Sequence, residues 1–326
     1  FATDASYIRA DASRKSWSYD ELACDSPDDA SRAVKEYLKA LDSDPLAKRK
    51  QKKVSLTDPM SQWMGDKGPA QFYYCTNYLI DIEHNIILDV EATPAHRVYE
   101  VTSTRNMMEN VEHKFDIKPQ RLIADAAYGS ADMLGWLVEE KGVEPHIPVW
   151  DKSKRDDGTF SRSDFRWDAE ANEYRCPADK ALLPRRRNFK HKGITVTKAQ
   201  SIIYRSSEKD CQVCHLKQQC TPNTPIRKIA RSIHEDARDV ARSVMETDEY
   251  IQSRSDRKKV EVLFAHLKQV LNFDRLRLRG INGARDEFLL AATAQNLRKL
   301  VQQRFKPPDR RIGAVSYTHL RAHETV

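Results

Sequence analysis

The sequence predicts an α/β fold, a mixed sheet flanked by helices, with a cysteine-containing inserted subdomain. Three observations predict it. Apolar runs of strand length come first and pass into a strand-helix-strand succession. Residues 151–233 then break the rhythm: they are polar, rich in Arg and Lys, and hold Cys176, Cys211, Cys214 and Cys220. Helical periodicity returns over residues 234–306. On this reading residues 1–150 are the first part of a core, with a helical insertion near 26–53. Residues 151–233 are the insertion, 234–306 complete the core, and 307–326 are a disordered or non-native tail. A chain of 326 residues suits about two domains.

Each element has its local reason. FATDASYIRA reads as a short strand with Asp4 near its start, and SPDDASRAVKEYLKAL as a helix begun by Ser26 and Pro27. KRKQKK, residues 48–53, reads as a solvated basic link. FYYCTNYLIDI and NIILDVEAT form a hairpin across Glu83, His84 and Asn85. After Pro94 the spacing of Val98, Val101, Met108, Val111 and Phe115 predicts a helix, closed by Pro119. RLIAD is the next strand; a helix follows from Ala131 to Lys141, with Ser130 as cap and Gly142 at its end. VEPHIPVW is a further short strand. Beyond the insertion, EDARDVARSVMETDEY, DRKKVEVLFAHLKQVL and ARDEFLLAATAQNLRKLVQQRF read as helices, the last amphipathic and packed on the core.

Charge favours an anionic partner, since Lys and Arg outnumber Asp and Glu by 55 to 48. No stretch reaches the roughly 18 apolar residues of a membrane span, and the start lacks a secretory profile, so a cytoplasmic protein is expected. The opening FATDAS has no initiator Met, which suggests a missing upstream segment. AVSYTHLRAHETV resembles a translated adapter read-through, so the metal-like spacing of His319 and His323 is set aside.

The chemistry rests on three acids. Asp125 ends an apolar strand and is followed by Ala126, Ala127, Tyr128, Gly129 and Ser130, small residues that leave room for a ligand or metal. Helix capping is the plainer use of such an Asp, but Ser130 already caps the next helix and Asp125 lies upstream of it. Asp4 repeats the arrangement, with Ala5 and Ser6 after it. Glu261 lies beside the apolar stripe Val260, Phe264, Leu267 and Leu271, sharing one side of its helix with Arg254, Arg257 and Lys268. That side is either a salt-bridged surface or part of a site. Asp58, in an Asp-Pro turn, is a rival to Asp4 whose default use is structural.

ATDAS with Asp4, IADAAYGS with Asp125, and Arg257, Glu261 and Lys268 in R-x3-E-x6-K resemble the three signature blocks of bacterial insertion-sequence DDE transposases. PHIPVWDKSKR, RSDF, LFAHLK and GARDEFLLAATAQNLRKL also resemble that family, and the likeness runs from the first residue to about Arg304. It implies a ribonuclease H-like core of three antiparallel strands, a crossover helix and further parallel strands, with Asp4, Asp125 and Glu261 as catalytic ligands of two Mg²⁺ or Mn²⁺ ions. It implies phosphodiester cleavage at transposon ends and strand transfer into target DNA, carried out by a homodimer on DNA. Arg254, Arg257 and Lys268 would then contact DNA phosphates. In-line displacement suits two ions about 3.5 to 4 Å apart, and hard carboxylate oxygens suit Mg²⁺. The family often has Tyr three residues before the arginine, where this chain has Arg254, and a helical end-recognition region that would precede this sequence. A ribonuclease H-like nuclease without strand transfer and a decayed nucleic-acid-binding fragment are the alternatives.

Cys176, Cys211, Cys214 and Cys220, with C-x2-C followed by x5-C, suit a structural zinc, with His215 as a competing ligand; reduced free thiols are the other reading, and Cys24 and Cys75 stand apart. Among the basic runs, KRKQKK, RRR at 185–187 and RLRLRG at 275–280, the last follows the Glu261 helix, making Arg275, Arg277 and Arg279 the best candidates for tracking a DNA backbone.

Overall fold

A computed structural model describes residues 1–19, 30–44, 53–65, 68–151, 155–184 and 193–304. The chain opens with β1 (Ala2–Arg9), β2 (Trp17–Ser18), α1 (Arg32–Ser43), β3 (Val54–Ser55), β4 (Gln62–Met64), β5 (Gln71–Asp81), β6 (Ile86–Pro94) and α2 (Arg97–Phe115). It continues with β7 (Arg121–Ile123), α3 (Ala131–Gly135) and β8 (Glu144–His146). These build a mixed sheet in the order β6-β5-β1-β7-β8, with β4 pairing the start of β5. β5 is antiparallel to β1 and β6, whereas β1, β7 and β8 run parallel. β5 is an interior strand, paired with β1 on one side and with β6 and β4 on the other; QFYYCTNYLID is rich in aromatic and branched residues, and its middle nine residues are buried.

A second, antiparallel sheet follows: β9 (Arg166–Asp168), β10 (Glu173–Arg175), β11 (Ala181–Pro184), β12 (Ser201–Ser206) and β13 (Lys228–Ser232), with α4 (Glu208–Gln212) and α5 (Lys217–Cys220) between the last two strands. Sequence periodicity missed this sheet, since its strands are only three to six residues long. Polar as its composition is, the region has a core of its own: Phe165, Tyr174, Leu182, Tyr204 and Ile229 form a buried cluster.

The chain then returns through α6 (Glu235–Val244), α7 (Asp248–Asp256), α8 (Lys258–Ala265), a π-helical turn (His266–Val270) and α9 (Gly280–Arg304). The single helix expected over 235–250 breaks because the Thr247 side chain accepts the Tyr250 N–H and starts α7 afresh. One face of the first sheet, with Ile8, Tyr78 and Ile80, packs on Val260, Phe264, Phe288 and Ala291 of α8 and α9; the Tyr78 and Phe264 rings stack at 4.7 Å. The other face, with Leu79 and Leu122, packs on α2, α3 and α6 through Met107, Met108, Leu134 and Ala237.

Local signals held where they were short-ranged. The hairpin turns through Asn85 at φ 60°, with the Asp81 carboxylate accepting the Glu83 and His84 N–H groups. Ser130 caps α3, which runs on as a π-helical turn (Trp136–Glu140) before Gly142 at φ 60°. α1 is capped by Ser31 and begins at Arg32, while Ser26 and Pro27 lie outside the described residues, as do RRR at 185–187, Cys24, most of KRKQKK and the tail with His319 and His323. Lys53, the described end of KRKQKK, is not simply solvated: its ammonium lies over the rings of Trp17 and Trp63. Among the described residues no helix is long and apolar enough to cross a membrane.

Candidate active site

The parallel pairing of β1 and β7 sets Ala2 beside Ile123. Side chains alternate along extended chain, so two residues further Asp4 and Asp125 come onto the same face as neighbours. Asp125 lies just past β7, and its Oδ1 accepts the Ala127 N–H at 2.7 Å, capping a 3₁₀ turn over Ala126–Tyr128. Ser130 therefore does not leave Asp125 without a capping role, contrary to the sequence expectation: each caps its own turn. Asp4 Oδ1 similarly accepts the Ala5 N–H at 2.9 Å.

Glu261, exposed in the first turn of α8, faces the same region. The Arg257 guanidinium, at the junction of α7 and α8, lies 3.0 Å from Glu261 and 3.9 Å from Asp4. A cleft of about 320 Å³ is lined by Asp125 and Glu261 with His146, Tyr250, Arg254 and Arg257. Burial pushes the Asp4 carboxyl up to about 6; the Ala5 N–H and Arg257 oppose this, while the neighbouring Asp125 and Glu261 charges add to it.

Three carboxylates crowded together, one held partly protonated and two leaning on a guanidinium, are a donor set deficient in positive charge. Their hard oxygens fit a divalent cation such as Mg²⁺. Among the described residues no three His, Cys, Asp or Glu side chains are placed so that they could hold a metal ion. Two of the acids are turned into backbone hydrogen bonds and the third toward Arg257.

The other predicted contacts are divided in space. Arg254 and Arg257 line the cleft. Lys268 is half-buried on the π-helical turn after α8, within electrostatic reach of Cys75 on β5. Arg275 and Arg279 are both held by Asp11, at 2.8 and 2.9 Å, while the Arg277 N–H donates to Glu287. The bridge from Arg9 to Arg275 puts RLRLRG at the opposite end of β1 from Asp4, so following the Glu261 helix in sequence did not bring it beside the acids. Asp58 is also remote: it is wholly buried and accepts from Tyr74, which pairs with Ile8.

Sequence reasoning missed His146 and Tyr250. His146 is buried on β8, in register with Ile123, and its Nδ1 has no hydrogen-bond partner among the described residues. Tyr250 lies one helical turn before Arg254, supplying an aromatic hydroxyl to the cleft although the position three before Arg257 lacks one. A Tyr displaced by a whole turn keeps the same helix face, the only signal that could have found it.

Gly129 is required by a close approach. A Cβ there would lie 1.9 Å from the Pro148 carbonyl oxygen and 2.9 Å from the Trp150 nitrogen. Gly129→Ala is expected to cost at least about 1–3 kcal/mol and to displace the turn carrying Asp125; a thermal midpoint equal to the parent's would refute the close packing.

The raised Asp4 carboxyl gives a pH dependence. Between its ordinary value of 3.8 and about 6 the folded chain keeps a proton that the unfolded chain has released, so stability falls as pH rises through that window. A divalent ion needs the same group ionised. Stabilisation by Mn²⁺, read as a shift in thermal midpoint, is therefore expected to grow from about pH 5 to 7 in the parent and to be lost in Asp4→Asn. A pH-independent Mn²⁺ shift in the parent would contradict this account.

Residues 175–301, less than half of the chain, match a family model described as a transposase DDE domain, which supports a DDE transposase. The matched stretch includes Arg254, Arg257, Glu261 and Lys268; Asp4 and Asp125 precede it. Comparisons with curated proteins and with solved structures give no match.

Proposed function

We propose that the protein is a DNA transposase of the DDE type that cuts phosphodiester bonds at transposon ends and joins the freed 3′ end to target DNA. The observation that carries this reading is that Asp125 and Glu261 line one cleft, with Asp4 beside them within reach of the same Arg257 and of both their charges, and with Glu261 inside the matched transposase segment. The sheet order, three antiparallel strands followed by parallel ones, supports a ribonuclease H-like core interrupted by the 151–233 region. DNA is the partner, acted on by a homodimer.

Asp4, Asp125 and Glu261 would hold two Mg²⁺ or Mn²⁺ ions, which when bound supply charge stabilisation at the attacking and leaving oxygens. The chain's own groups do the rest. The Asp125 cap and the strand register hold two carboxylates side by side before substrate arrives. Arg257 and exposed Arg254 present guanidinium forks on the rim, suited to phosphate oxygens. Buried His146 and Tyr250 wall the cleft. Arg275, Arg277 and Arg279 are proposed to meet DNA further along the duplex, since they lie at the far end of β1.

The test is cleavage and joining of duplex DNA with Mg²⁺ or Mn²⁺. A transposase cuts and links a 3′-hydroxyl end to a second duplex; a simple nuclease cuts without linking. Absence of cutting under either metal, with binding that weakens steeply in salt, would leave only a nucleic-acid-binding fragment.

A further inference from the structure

We infer that Cys176, Cys211, Cys214 and Cys220 form a zinc site that ties the turns of the second sheet together, independently of the acidic cleft. These four residues come from the β10-β11 hairpin, from α4 and the turn after it, and from α5, yet all four line one cavity of about 30 Å³. That volume suits a single ion-sized occupant. All four are free thiols, and tetrahedral thiolate sets of this kind suit zinc.

The surroundings fit a thiolate-bound ion better than four neutral thiols. The hairpin folds tightly, with the Asp179 N–H donating to the Cys176 carbonyl at 2.7 Å. Asp179 takes a left-handed φ of 55°, and the next N–H, that of Lys180, donates to Cys176 Sγ at 3.3 Å. Such N–H···S bonds orient and stabilise a thiolate ligand. Four thiolates around Zn²⁺ leave two negative charges, and three cations, Lys180, Lys217 and Arg227, line the same cavity against one carboxylate, Asp210. His215, the competing ligand expected from sequence, is exposed and does not line the cavity. As placed, the thiols do not form a group that could hold an ion: Cys211 Sγ rests 3.0 Å from Ser206 Oγ and would have to turn inward on binding.

The site has structural reach. The Arg227 guanidinium donates to the Cys220 carbonyl and to the Phe160 carbonyl, and the Phe160 N–H donates to Gln219. Occupancy would therefore fix α5 against the Phe160 segment that leads through Arg162 into β9 of the second sheet. The buried cluster of the second sheet holds five side chains, so an added crosslink matters there.

Metal analysis of the purified full chain is expected to return about one zinc per chain. Cys214→Ser and Cys176→Ser should each lower the retained zinc at least about tenfold, while His215→Ala keeps it. Should the serine variants fail to fold, the parent itself decides: after zinc is removed, added Co²⁺ should give the thiolate-to-cobalt absorption of a tetrahedral site. A folded parent without zinc, whose thiols all react immediately and which gives no such absorption with Co²⁺, would overturn the site. Zinc retained in folded Cys214→Ser would overturn this ligand set.

Discussion

Asp125→Asn is expected to lower divalent-ion-dependent DNA cleavage by about 10²–10³-fold, a loss typical of removing one preorganised charge-stabilising group, while leaving folding and DNA affinity almost unchanged. The substitution is nearly isosteric. An Asn oxygen can still accept the Ala127 N–H that caps the 3₁₀ turn, so the strand end and the Gly129 turn keep their shape. What disappears is the negative charge beside Asp4. DNA affinity depends on Arg and Lys contacts to phosphate, and losing a carboxylate weakens none of them. The measurement pairs a cleavage assay in Mg²⁺ and Mn²⁺ with a binding titration at fixed salt. Cleavage equal to the parent's would remove Asp125 from the proposed machinery, and the catalytic reading with it.

The second large effect concerns stability. Glu235 is fully buried where the chain re-enters the first sheet, and its carboxylate receives Arg162, Arg238 and Arg242. Burial alone would raise its pKa, but hydrogen bonding and charge from Arg162, with Arg238 and Arg242, lower it below the ordinary 4.5. Glu235→Ala would leave three guanidinium groups around an empty position, and removing one partner of a buried ion pair costs about 3–5 kcal/mol. Asp151 remains within reach of Arg238 and Arg242 at 3.5 and 3.2 Å, which places the expectation toward the lower figure. Denaturant unfolding checks it: a loss below about 1 kcal/mol would mean that the arginines rehydrate freely. Because the folded-state pKa is depressed, this stabilisation is present above pH 4.5 and declines as pH falls through and below it.

Much of the first sheet was legible from local pattern. The β5-β6 hairpin, α2, the Ser130 cap and Gly142 depend on spacing and capping within a few residues. The three acids were singled out by motif, and Asp125 and Glu261 lie in one cleft with Asp4 beside them. Glu235 was not: it reads as an ordinary acidic first turn of a helix, and nothing nearby in sequence announces Arg162. The same holds for Asp11, which takes up Arg275 and Arg279 although the sequence puts them beside the Glu261 helix.

From order and spacing alone came the succession of elements, the acidic residues at strand ends and on a late helix, and the clustered cysteines. Tertiary structure alone decided that Asp4 and Asp125 share a face, that Arg257 lies between Asp4 and Glu261, that Tyr250 stands in the cleft, and that the cysteine region has a sheet and core. The physical reason is range. Turns, caps and amphipathic faces are set by neighbours a few residues away, whereas charge compensation and strand register depend on which distant segments bury surface together.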